Sequence, residues 1–262
     1  MNPLLAEVSL SKHSSIQEII ERGKLIVGVC RIDQPPFYER DKNNALHGID
    51  IDIARGIAKD LGVQLEINQH AANWDDLVTQ LQKGTIDLAI SFLSKTSNRA
   101  QSIIYSRTYV KGNQSILLNR LRLNQAKSRG LKTLKQIFSK DSGETLLTYE
   151  GSAYIKFAKI LFPEVHLITF KTAGELYEAL LKGEYIGLIT DQLEVKSYLE
   201  KKPDQKLILL PVAIKDHYDL IAIGGSNTDQ TLIDYVNTYL EVNNIDIDIN
   251  SLDLLKDQDQ PS

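Results

Sequence analysis

The chain has 262 residues, of which 42% are apolar and 24% charged, and its formal net charge is −4 at pH 7. That length suits two α/β lobes of ordinary size, and the composition can bury substantial cores. The charge gives no electrostatic case for a nucleic-acid partner, and no run of about 18 apolar residues is present to span a membrane.

The N-terminus, Met1-Asn2-Pro3-Leu4-Leu5-Ala6-Glu7, lacks the basic start and apolar core of a secretory signal. The chain is therefore either cytosolic or a mature or excised segment with an added start Met. Residues 1–14 are expected to be an N-terminal extension. Ser15 then caps a short helix over 15–22, with Glu18 three residues on. A strand over 25–30 carries the single cysteine, Cys30, expected to be an inert core thiol. Pro35 and Pro36 hold the next loop extended. Ile49, Ile53, Ile57 and Leu61 share one face, which predicts a helix over 49–61 ended by Gly62. A strand over 63–68 follows. Trp74 opens a helix over 75–83, stopped by Gly84, and an apolar run over 86–91 reads as a buried strand.

The pattern then restarts. A helix is expected over 134–138 with Thr133 as its cap, a strand over 145–149, a helix over 153–161, a strand over 165–170, a helix over 173–181 and a strand over 186–190. Leu81-Gln82-Lys83-Gly84 and Leu180-Leu181-Lys182-Gly183 echo each other before strands of the two halves. Alternating helices and strands imply parallel pairing with right-handed crossovers. The fold class is thus α/β, two Rossmann-like lobes joined by a two-segment hinge with a ligand cleft between them. Lobe 1 is discontinuous (15–111 plus 216–242) and lobe 2 covers 117–208. Residues 112–116 and 209–215 are the hinge crossings, and 243–262 are a polar tail or linker.

In open α/β sheets, ligands sit beyond the carboxyl ends of the strands. Beyond the strand over 86–91 comes Ser94-Lys95-Thr96-Ser97-Asn98-Arg99, hydroxyls followed by a guanidinium that offers a rigid two-pronged donor for a carboxylate. A solvated loop with a surface arginine is the alternative. The five histidines (His13, His47, His70, His166, His217) have no ligand spacing, so neither a metal nor a cofactor is expected.

Gly48-Ile49-Asp50-Ile51-Asp52-Ile53, with Ile57, Ala58 and Leu61, resembles the signature of family 3 extracellular solute-binding proteins, the polar-amino-acid receptors of ABC importers. Gly28-Val29, Pro35-Pro36-Phe37, Trp74-Asp75-Asp76-Leu77, Tyr105-Ser106, Gly151-Ser152 and Asp191 are similar too, so the likeness runs from about Gly23 to Val242. It implies the periplasmic-binding-protein-like II fold, a periplasmic or extracellular setting, and a monomer that closes on a free L-amino acid and delivers it to a membrane permease. In that resemblance Arg99 takes the α-carboxylate, helped by the Ser152 hydroxyl and the N–H groups around Ala153. Asp191 takes the α-ammonium, completed by Ser94 and the Phe92 carbonyl. Trp74, Tyr149, Gln34 and Phe37 surround the ligand's side chain. Arg31 would suit an acidic side chain, or is simply solvated.

Departures from the family pattern are Ala153 in place of a hydroxyl residue, the large Phe92, Arg107 in place of an Asp, and an Ile-Asp alternation over 245–249. An acid is needed near the tip of a basic side chain, and Asp33 is expected to be neutralised by Arg31. A polar uncharged or acidic amino acid, glutamine or glutamate, is therefore favoured over arginine or lysine. The alternatives are a sensor module of a membrane receptor, recognisable from a kinase in the same reading frame, and a cyclohexadienyl dehydratase-like enzyme with Glu150 as its acid.

Overall fold

The computed structural model describes residues 15–249. Its first half runs through α1 (Ser15–Arg22), β1 (Lys24–Gly28), a small hairpin of β2 (Glu39–Arg40) and β3 (Leu46–His47), α2 (Ile49–Asp60), β4 (Gln64–Asn68), α3 (Trp74–Gln82), β5 (Leu88–Ala89) and the long strand β6 (Ile103–Asn119). The second half holds α4 (Arg120–Ser128), α5 (Leu134–Ile137), β7 (Thr145–Tyr149), α6 (Tyr154–Leu161), β8 (His166–Phe170), α7 (Ala173–Leu181), β9 (Gly187–Asp191) and α8 (Gln192–Lys201). A second long strand, β10 (Leu209–Ser226), then leads to α9 (Gln230–Val242) and β11 (Ile247–Asp248).

Helix–strand alternation gives parallel pairs in both halves: β1 with β4 and β5, and β7 with β8 and β9. The antiparallel strands β6 and β10 run through both, so the order is β4-β1-β5-β10-β6-β9-β7-β8, with β11 beside β6. At about 3.3 Å per residue these strands are long enough to cross a whole domain. Their pairing breaks midway: Ala213 faces Ser115 but Tyr218 faces Asn113, which leaves residues 214–217 bulged opposite Gln114. A bulge bends and twists a strand. On one side of the break β10 pairs with β5, and on the other β6 pairs with β9. Helix α9 returns to pack on α1 and the long strands.

One core runs from Leu25, Ile57, Leu77 and Val236 through Trp74 and Tyr149 to Tyr177 and Leu193 of the second half. A separate one, with Ile116, Phe138, Leu146, Phe162 and Ile189, fills the far side of the second half. The cleft between halves therefore lies over the first core, at Trp74 and Tyr149.

Several expectations are corrected. Ser15 is the first helical residue rather than a cap, and its buried hydroxyl has no partner among the described residues. The strand expected over 86–91 pairs only at Leu88 and Ala89, because its later residues turn off the sheet into the site. The segments expected to cross, 112–116 and 209–215, lie within the much longer strands β6 and β10. The polar helices α4 and α8 escaped notice because each buries only two or three residues of a mainly polar stretch. The tail expected over 243–262 begins as structure: Ile247 pairs with Val110, and Ile249 is buried. The Arg107 guanidinium donates to the Ile245 carbonyl, 2.9 Å, so two departures from the family pattern support each other. The extension over 1–14 and residues 250–262 lie outside the described residues.

Candidate functional site

The carboxyl ends of β5 and β9 converge on one enclosed cavity of about 20 Å³. From the first half it is lined by Gln34, Trp74, Phe92, Ser94 and Arg99, and from the second by Tyr149, Ser152, Ala153 and Asp191, with Tyr154, Thr190 and Glu194 beside them. Nine of the eleven residues singled out from the sequence thus meet in one place, Arg31 and Phe37 being the exceptions. A wider cavity of about 670 Å³ opens next to it, bounded by Arg31, Asp33, Tyr149, Tyr177 and Glu194. Arg31 lies there, its guanidinium held by the carbonyls of Gln69 (2.9 Å) and His70 (3.1 Å). Asp33 is neutralised by Arg40 at 3.0 Å, not by Arg31. Phe37 is core: its ring packs 4.3 Å behind that of Phe92. Glu150 is exposed and lines neither cavity.

Arg99 sits in a short 3-10 turn and is 6% exposed. Its Nε donates to Asp75 (3.0 Å), Nη1 to the Ser94 carbonyl (3.2 Å) and Nη2 to the Gly151 carbonyl (2.9 Å). Nη2 also lies 3.0 Å from Asp75 Oδ1, so of the five N–H donors of a guanidinium the second one on Nη1 remains for an anion. The bond to Gly151 crosses the cleft. Gly151 has φ +66, and a Cβ there would meet Asn73, the cap of α3, at 2.3 Å. Only glycine lets the two halves approach so closely at this point.

The hydroxyls on the two walls have opposite polarity. Ser152 Oγ accepts from the Tyr154 N–H at 3.1 Å, which leaves its own O–H to donate. Ser94 Oγ donates to Asp219 Oδ2 at 2.9 Å, which leaves its lone pairs to accept. Asp191 caps α8, accepting from the Glu194 N–H at 2.7 Å, and its other oxygen accepts from Gln34 Nε2 at 2.8 Å across the cleft. Burial raises its carboxyl above the usual range.

Two further features hold this floor. Phe92 has φ 46, unusual for an aromatic residue. Its N–H is held at 2.6 Å by Asp50, whose other oxygen accepts from Tyr109 at 2.6 Å. Asp50 belongs to α2, so the signature helix clamps the strained turn. Trp74 donates its ring N–H to the Ser91 carbonyl at 3.0 Å and meets Tyr149 edge-on.

The sequence reading missed Glu194. It lies in the first turn of α8 and accepts hydroxyl bonds from Tyr149 (2.5 Å), Tyr177 (3.0 Å) and Thr190. Burial, with the Asp191 charge close by, pushes its carboxyl up to about 7. Among the described residues no cluster of three or more His, Cys, Asp or Glu is placed to hold a metal ion. The donor set suits a small organic zwitterion.

Asp50 and Asp219 are likewise raised by burial, to about 7 and about 6. A carboxyl raised in the fold retains a proton that the unfolded chain has lost, so its contribution is full below about pH 4 and lost as pH rises through 6 to 7. The ligand-free chain should therefore melt higher at pH 5 than at pH 8 in matched salt. Asp50→Asn, which cannot titrate, should flatten that profile. A wild-type melting point that rises with pH, with the same slope in Asp50→Asn, would contradict this.

The model of the bacterial extracellular solute-binding proteins, family 3, matches residues 25–246. The chain belongs to that family. Among curated relatives, the glutamine-binding protein of Geobacillus stearothermophilus is 29% identical over 197 residues, 74% of this chain and 71% of that protein. Among solved structures, an ancestral amino acid-binding protein described as a precursor of cyclohexadienyl dehydratase superposes with a TM-score of 0.72 and is 25% identical, covering 94% of this chain and 99% of its own. A binding component of an ABC transporter from Wolinella succinogenes, solved with lysine, has a TM-score of 0.70 and is 25% identical, covering 84% and 89%. This family 3 solute-binding protein has their fold, two α/β lobes with the site between them.

Proposed function

We propose that this solute-binding protein captures a free L-amino acid between its lobes and presents it, closed, to the permease of an ABC importer. One observation carries the reading: a single pocket offers donors for an anion beside acceptors for a cation. Arg99, the Ser152 hydroxyl and the Ala153 N–H would take the α-carboxylate. Asp191, Ser94 and the Phe92 carbonyl would take the α-ammonium, with Gln34 withdrawing its amide from Asp191 as the ligand enters. The lobes of this proposal are 15–111 plus 216–242 and 117–208, and the bulge over 214–217 beside the 112–116 crossing is where they would hinge. The glutamine-binding relative and the lysine-bound neighbour support the amino-acid class. The protein would act outside the cytoplasmic membrane, as the family description implies, and in this proposal it does so as a monomer.

The expected preference for a polar uncharged or acidic side chain rested on Arg31 as an anchor and on the lack of an unpaired acid. Arg31 is occupied by two carbonyls, and Glu194 is an acid whose partners here are hydroxyls. Both facts favour a side chain that brings a positive charge. A buried anion is costly unless a cation joins it.

The second reading is a dehydratase-like enzyme, and it draws on Glu194, a buried acid that holds its proton near neutrality. A thermal-shift screen against the twenty amino acids and prephenate tests both. One or a few L-amino acids should raise the melting point by several degrees, since ligand at 100 times Kd adds about 2.7 kcal/mol. Prephenate should be neither bound nor turned over. A screen in which no amino acid shifts the transition overturns the first reading, and phenylpyruvate formation from prephenate establishes the second.

A further inference from the structure

We infer that Asp219 is a positioning residue for ligand selection: it takes the Ser94 proton and so turns that hydroxyl into an acceptor for the ligand's α-ammonium. The inference rests on the amino-acid reading above and adds to it a residue that lines neither cavity. A serine hydroxyl has one hydrogen and two lone pairs. With its hydrogen committed to Asp219 Oδ2 at 2.9 Å, Ser94 can only accept from whatever faces it in the pocket. An ammonium supplies donors. The carbonyl of an α-keto acid supplies only lone pairs, and it would leave Ser94 facing an acceptor.

The surroundings of Asp219 fit this role. It lies on β10 just beyond the bulge and is 1% exposed. The Ser94 loop is laid onto the same stretch of strand: Lys95 N–H donates to the Leu220 carbonyl (2.7 Å) and Ala222 N–H to the Leu93 carbonyl (3.0 Å). The hydroxyl and its acceptor are thus fixed relative to each other by backbone bonds. The same Oδ2 accepts from the Tyr154 hydroxyl on α6 at 2.9 Å, so α6, which follows Ser152, is tied to the same oxygen. Asp219 Oδ1 is buried with no partner among the described residues. A purely structural carboxylate would be expected to have both oxygens satisfied. The charged groups that act on it are Arg99, which favours its ionised form, and Asp191, which opposes it. With its carboxyl at about 6, the ionised form prevails at pH 7.5.

The test is calorimetric titration of the full chain at pH 7.5 with L-arginine, L-glutamine and the α-keto acid of each. Asp219→Asn can turn its amide N–H toward Ser94. It should weaken the amino acid at least tenfold and change the keto acid less than threefold. Ser94→Ala should show the same selective loss, and adding Asp219→Asn to it should cost no more. Equal losses for both ligand kinds, or losses that multiply in the double variant, overturn the inference. Should Asp219→Asn fail to fold, the wild type still decides it. Selectivity for amino over keto acid should fall between pH 7.5 and pH 5 more steeply than in Ser94→Ala, which shares every other titrating group. Parallel profiles overturn the inference. A wild type that binds none of the twenty amino acids overturns the amino-acid reading itself, an outcome distinct from the others.

Discussion

Replacing Arg99 by alanine is expected to abolish amino-acid binding while leaving the chain folded. A carboxylate brought into this pocket loses its water, and Arg99 is the one cation among the residues that line the enclosed cavity. Removing one partner of a buried, hydrogen-bonded charge pair costs on the order of 2–5 kcal/mol, which is tens- to thousands-fold in affinity. The fold should survive because the partners left behind are not stranded. Asp75 is 62% exposed and can return to solvent, and the Ser94 carbonyl keeps the Tyr105 hydroxyl at 3.4 Å. Circular dichroism and a cooperative melt would establish folding, and calorimetry with the amino acid that binds the wild type would read the loss. A folded Arg99→Ala protein with near-native affinity would remove Arg99 from the site.

What could be read from the sequence divides along a physical line. Helix α2 was legible because Ile49, Ile53 and Ile57 repeat at one helical spacing, and the loop after β5 because a buried strand gives way abruptly to hydroxyls and an arginine. Both signals are local. Glu194 was illegible for the opposite reason. Asp191-Gln192-Leu193-Glu194 has the spacing of an ordinary helix start, where an acid in the first turn reads as a surface residue favoured by the helix dipole. What buries it is Tyr149 from β7 and Tyr177 from α7, which the topology brings together. Asp219 carried a faint signal, a lone acid just ahead of the apolar stretch Leu220-Ile221-Ala222-Ile223. Nothing local reveals that its partners are Ser94 and Tyr154. Arg31 and Asp33 look like a natural pair two residues apart, yet Arg40 from β2 takes Asp33 and two carbonyls take Arg31. Pairing among charged loop residues is decided by where other segments end up: Asp33 is neutralised as expected, but by Arg40, and what the ligand argument left out was the acid Glu194.

Glu194→Gln is expected to weaken binding of a cationic amino acid, arginine or lysine, by tens- to thousands-fold while leaving glutamine within a few-fold. Charge balance in the pocket sets this difference. In the enclosed cavity Arg99 answers the ligand's carboxylate and Asp191 its ammonium, and Glu194 remains with three hydroxyl donors. Arg31, Lys171 and Lys201 line the wider cavity, but all three are exposed, where water and salt screen them. A guanidinium or ammonium beside Glu194 would meet a carboxylate out of water, with the Tyr149 ring as an adjoining face. The pH dependence has a definite sign. In the free protein Glu194 holds its proton up to about pH 7, and a bound cation lowers that value. Binding then releases a proton, so affinity for arginine should rise from pH 5.5 to pH 8 in the wild type and lose most of that slope in Glu194→Gln. Calorimetry in buffers of different ionisation enthalpy would count the proton directly. If glutamine or glutamate binds tightest, with no proton released and no effect of Glu194→Gln, then Glu194 is a structural acid held by its tyrosines and the side-chain specificity lies elsewhere in the pocket.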